Sequence, residues 1–209
     1  SSSEAVATRL KEQFAPAYLT LTSIIQAVAL SALVVRVEAT YERFNAADWL
    51  LVIATLLAFL LIWHEYLMQA LAYVWLPTLL DSLVPFAYLV VELFTAHLAY
   101  GDQRIWLLSV GIGFIVGVIS WGTASIQSRA HASENRGVLE VVQATARARI
   151  YFNLVPCVLF LGGWALYDVL DLAQLQFVIA LLAALLIALR IAATVPYWNR
   201  VLNYAHGRS

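Results

Sequence analysis

The stretch WLLVIATLLAFLLIWHEYLMQALAYVWLP, residues 49–77, decides the fold class. Its first fifteen residues carry no charge, and Glu65 is the only acidic group in the run. Apolarity sustained over that length reads as a helix crossing a bilayer. At ~1.5 Å per residue the segment Trp49–Leu76 exceeds the ~30 Å hydrocarbon thickness, so it must tilt, kink or project.

Working outward, five further stretches have the same character: residues 17–35, 78–98, 105–126, 150–170 and 172–195. The expected architecture is all-α, a single polytopic transmembrane domain over 1–209 with about six spanning helices. Pro16 reads as a helix start, Pro77 as the close of the second span and Pro196 as the stop of the sixth. Residues 127–149 form the one long polar stretch and read as a loop. Composition agrees. The chain is 63% hydrophobic and 12% charged, with a mean hydropathy of +0.81, whereas a soluble chain is about half apolar and about a quarter charged. The opening SSSEAVATRLKEQF is polar and amphipathic, so the first apolar segment is expected to act as its own insertion signal.

Arginine placement gives an orientation. With six spans, one side holds both termini, the second loop and residues 127–149. That side carries Arg9, Lys11, Arg129, Arg136, Arg147, Arg149, Arg200 and Arg208, with Arg190 snorkelling from the end of the last helix. The other side holds only Arg36, Arg43 and Arg104. The positive-inside rule then puts both termini in the cytoplasm, with the chain in the plasma (inner) membrane. Trp49, Trp75, Tyr100, Trp106, Tyr167 and Trp198, near span ends, are expected interface anchors.

Several chemistries are disfavoured. A net charge of -1 gives no reason to expect a nucleic-acid partner. The single cysteine, Cys157, excludes an internal disulfide. Lys11 is the only lysine and sits in the N-terminal tail, so no retinal Schiff base can form in the bundle. His64-Glu65 begins like a zinc-protease motif, but Met68 stands where the second histidine belongs. His64 and His97 fall in opposite halves of the membrane, against haem ligation. No cofactor and no metal is expected.

Carboxylates inside spans cost ~2.5–3.5 kcal/mol on insertion scales and normally face protein or water. Glu65, Asp81 and Glu92 are therefore the candidate path-lining charges. Asp81, Pro85, Tyr88 and Glu92 share one helical stripe ~16 Å long, along which a cation or proton could be relayed. Structural alternatives stand beside this. Asp81 lies near a helix start, where the dipole favours it, and Glu92 has Gln26 and Asn153 as candidate partners. His64 is either a titrating gate or a satisfied buried imidazole. In the first helix Thr20, Ser23, Ala27 and Ser31 form a small-residue stripe with Gln26 beside it. Gln26 and Ser23 complete the candidate polar path. In the fourth, Ser109, Gly113 and Gly117, continued by Ser120 and Ala124, repeat a small-xxx-small pattern expected to pack helices closely. Asn153, Pro156, Gly162 and Gly163 mark a fifth span that bends or unwinds.

The Trp63-His64 pair, the later Pro85 and the six-helix layout resemble the small prokaryotic relatives of the lysosomal potassium channel. That resemblance implies cytoplasmic termini, assembly as a tetramer, and a pore lined by the first helix without a P-loop filter. The family's Arg-x-x-x-Phe-Ser-Asp in that helix is absent, since Ser23 is followed by Ile24.

Three function classes fit these residues. The first is a homo-oligomeric path for a monovalent cation or proton. The second is a non-conducting subunit that binds membrane lipid or a protein partner, with the fourth helix as docking face. The third is a membrane enzyme acting through His64 and Glu65.

Overall fold

The computed structural model describes residues 2–74, 78–143 and 146–206, and the side chains of 13–74, 78–140, 151–204 and 206. Trp75, Pro77 and Arg208 lie outside the described residues, as do the side chains of Arg9, Lys11, Arg147 and Arg149. Regular structure among the described residues is entirely helical: α1 (Ser2–Thr40), α2 (Ala46–Ala72), α3 (Leu79–Leu98), α4 (Gln103–Ala130), α5 (Ala132–Gln143), α6 (Ala146–Leu166) and α7 (Gln176–Ala205). Five helical segments, in α1–α4 and α7, are long and apolar enough to cross a membrane, and α6 adds the shorter apolar stretch Tyr151–Leu166. Their outer faces carry exposed Ile24, Val34, Leu83, Phe94, Leu182 and Leu189. Lipid solvates such a surface and water does not. These are the features of a multi-pass membrane protein.

Local chemistry sets the helix starts. Asn45 accepts from the Ala47 and Asp48 amides at 2.7 and 3.1 Å, while Asp48 Oδ2 accepts from the Asn45 amide at 2.9 Å. Thr78 and Asp81 repeat this reciprocal cap at α3, and Asp102 caps α4 through the Ile105 amide at 3.0 Å. Each cap satisfies amides that the first turn leaves without partners.

Four sequence expectations are corrected here. Pro16 and Pro196 do not bound helices, for α1 and α7 run through them. Lipid offers no alternative hydrogen-bond partner, so a membrane helix keeps its path and absorbs the one lost bond. Likewise α6 is continuous across Asn153, Pro156, Gly162 and Gly163. The polar stretch 127–149 is no open loop: α4 extends to Ala130 and α5 follows. Here a short amphipathic helix hides among charges, burying Asn135 and Leu139 and leaving Glu134 and Arg136 outside. Finally, Trp106, Tyr167 and Trp198 are buried within the chain and are not exposed on its surface as anchors would be. Trp106 donates through Nε1 to Thr55 Oγ1 at 2.9 Å, and Tyr167 donates through its hydroxyl to Gln103 Oε1 at 3.3 Å.

Packing neighbours form an arc in the order α6, α4, α3, α1, α2, α7. The half of the bundle nearest the short 98–103 and 166–172 turns is filled by Leu51, Trp106, Phe114, Phe160 and Ile187. Polar links fasten that end: Arg104 pairs with Asp168, Gln103 Nε2 donates to the Gln176 carbonyl at 2.9 Å, and Arg36 donates to the Tyr100 carbonyl at 3.0 Å. At the opposite end Asn135 of α5 holds the α2–α3 connection. Its Oδ1 accepts from the Val74 amide at 2.8 Å, and its Nδ2 donates to the Val74 and Ser128 carbonyls at 2.7 and 3.2 Å.

Candidate functional site

Between the two fastened ends the bundle lines a partly open cavity with about 60 Å³ of space for the centres of water-sized molecules. Residues of α2, α3, α4, α6 and α7 wall it, among them Glu65, Tyr88, Glu92, Gly117, Asn153 and Arg190. On α2 the lining runs from Ala58 to Gln69 and on α4 from Val110 to Trp121. Eleven steps on each helix make the cavity ~16 Å long.

Two polar groups in this cavity differ in kind. The first is an ion-pair cluster. Arg190, 6% exposed, lies 3.2 Å through Nη2 from Glu65 Oε1. The guanidinium also donates to Asn153 Oδ1 from Nη2 and Nε, at 3.3 and 3.4 Å, and from Nη1 to Thr194 Oγ1. Thr194 sits one turn along α7, with its Oγ1 3.2 Å from Glu65 Oε1 and 3.0 Å from the Arg190 carbonyl. A pair this deep is stable only when its remaining donors and acceptors are met.

The second is Glu92 on α3, 1% exposed. Its Oε1 accepts from Gln26 Nε2 of α1 at 2.5 Å. Its Oε2 is buried and has no hydrogen-bond partner among the described residues. The neutral Gln26 amide is thus its one hydrogen-bond partner among the described residues. Tyr66 and Tyr88 stand nearby, part of a row in which Tyr18, Tyr66 and Tyr88 meet edge-on with centroids 5.6 and 5.5 Å apart.

The candidate path residues therefore divide. Gln26, Glu65 and Glu92 converge at or beside the cavity. Asp81 is buried in the cap of α3, its carboxylate 2.9 and 2.7 Å from the Thr78 amide and hydroxyl. Ser23 is exposed on the outer side of α1, in a shallow groove with Thr20 and Ala27. His64 is half-buried and does not line the cavity, so His64 and Glu65 form no joint catalytic centre there.

Ser109, Gly113 and Gly117 face into the chain. The Ser109 hydroxyl lies 2.7 Å from that of Thr95, and a Cβ on Gly113 would come within 3.3 Å of Val91. A Cβ on Gly117 would lie 3.0 Å from the Tyr88 hydroxyl and 3.9 Å from Asn153. This face of α4 is occupied by α3 and α6 and is unavailable as a docking face.

Sequence reasoning missed Arg190, which pairs inside the bundle and does not snorkel outward. The available signal was Thr194, a hydroxyl one turn away on the same helical face. Asn153 partners Arg190, while Glu92 takes Gln26. Among the described residues no group of three or more His, Cys, Asp or Glu side chains converges to hold a metal. No protein-family model, curated protein or solved structure matches the chain.

Proposed function

We propose that the chain is a six-span membrane transport protein that passes a proton or monovalent cation through a site within each copy. Glu92 holds the charge in transit. The supporting observation is the contrast between the two cavity carboxylates. Glu65 faces Arg190 across 3.2 Å, while Glu92, which also lines the cavity, has Gln26 on one oxygen and no hydrogen-bond partner among the described residues on the other. A carboxylate in such surroundings is neutralised by taking up a proton or a cation. The tyrosine row leading from α1 supplies hydroxyls along one approach.

The test is flux into liposomes, normalised to folded protein. Glu92→Gln keeps an acceptor for Gln26 and removes the charge, so its flux should fall to that of empty liposomes with expression unchanged. Wild-type flux no greater than empty liposomes, or a Glu92→Gln variant as active as wild type, would refute the reading.

Orientation belongs to the same proposal. With Arg190 assigned to the interior, eight of the 12 lysines and arginines still lie on the side of the termini and three opposite. Tags on both termini should react only after the cells are permeabilised, and a tag reactive on intact cells would reverse the topology. The cavity's lining residues are drawn from one chain, which supports transport within each copy. Homo-oligomerisation is a separate proposal, supported by the outward Thr20, Ser23, Ala27 and Ser31 on α1.

A further inference from the structure

We infer that the cavity takes a small organic ammonium ion, an amine of a few carbons, with Glu92 as its counter-charge. The inference rests on the transport reading above and names its cargo.

Charge is the first argument. Glu65 and Arg190 offset one another, whereas Glu92 meets only the Gln26 amide, so an ionised Glu92 leaves the cavity one positive charge short. The second argument is the wall: Phe59, Ile62, Val91, Val110 and Phe114 line it, and of its polar residues Glu65 and Asn153 are held by Arg190, while Gln69 and Ser120 lie at one end. The Thr95 hydroxyl is engaged by the Val91 carbonyl and Ser109 at 2.8 and 2.7 Å. A bare inorganic cation gives up its water for a shell of oxygens, about six for Mg²⁺ and up to about eight for Ca²⁺, and potassium filters likewise stack rings of carbonyls. With Glu65, Asn153 and Thr95 already engaged, Glu92 has no such shell around it. An alkylammonium needs less: an N–H for Glu92 Oε2, the Tyr66 and Tyr88 rings against its charge, and an apolar wall for its carbons. Size is the third argument. A space of about 60 Å³ for water centres holds roughly four to six water-sized groups, which matches a butylamine.

The experiment titrates the purified full chain in detergent with n-butylammonium chloride, potassium chloride and 1-butanol, reading the melting midpoint. Butylammonium should raise it saturably, half-saturating at least about tenfold below potassium. 1-Butanol, which matches the shape without the charge, should do nothing at the same concentrations, and Glu92→Gln should abolish the butylammonium response. The wild-type comparison stands by itself should Glu92→Gln not fold. A potassium response equal to that of butylammonium would overturn the inference in favour of an inorganic ion, and an equal 1-butanol response would show filling without charge recognition. No butylammonium response would also overturn it, yet Glu92-dependent flux in liposomes would then still support the transport reading. Saturable, Glu92-dependent binding without any flux would do the reverse.

Discussion

Arg190→Met is expected to lower the unfolding free energy of the solubilised protein by about 3–5 kcal/mol, the range for removing one partner of a buried ion pair. Methionine fills much of the arginine volume, so the loss is electrostatic more than steric. It deprives Glu65 Oε1 of its 3.2 Å counter-charge and takes donors from Asn153 and Thr194. Glu65→Gln should also destabilise, because Arg190 then carries an uncompensated charge in a low-dielectric interior. The double variant Glu65→Gln/Arg190→Met should recover most of the loss, since removing both charges of a buried pair is often close to neutral. Chemical unfolding in detergent of the four proteins completes the cycle. Single losses that are small and simply add would show that the pair contributes little to the fold.

Gly117→Leu should also be damaging, less so and for a different reason. Its first side-chain carbon already lies 3.0 Å from the Tyr88 hydroxyl and 3.9 Å from Asn153, and the remaining carbons enter the cavity. Overpacking of this kind costs about 1–3 kcal/mol, and the flux assigned to Glu92 should fall with it because the same volume is filled. Gly122→Leu on the same helix is the control: nothing lies within 4 Å of a Cβ there. That substitution should be neutral or slightly stabilising, as glycine is a poor helix former. Melting midpoints of the two variants in parallel check the contrast, and equal shifts would mean that helix propensity, not the cavity, governs both.

The class of fold was legible in residues 49–77, because lipid imposes one rule on every backbone group and uninterrupted apolarity announces it. Helix ends were harder, and one misplaced end propagated. Reading Pro196 as a stop put Arg190 five residues from a terminus, within snorkelling reach. With α7 continuing to Ala205, Arg190 stands in mid-helix and must find its counter-charge inside. The hidden α5 has the same origin, since twelve amphipathic residues among charges give a weaker signal than twenty apolar ones. Within the site, Glu65 and Glu92 stood out by type and by their position in spans. What separates them is the partner each meets, and Gln26 and Arg190 lie 66 and 125 residues away in sequence. Spacing along a helix carries no information about such pairs.

Asn135 joins Val74 across 61 positions, so the grip at the α2–α3 connection closes a large ring of chain around the α3–α4 hairpin. Synthesis proceeds from the N-terminus, and Val74 emerges before either of those helices exists. Its peptide groups stay hydrated until the hairpin has inserted and α5 has arrived. The clasp therefore shuts late, as a latch on a completed hairpin, and protection of the Val74 amide from hydrogen exchange dates the moment when that half of the bundle has assembled.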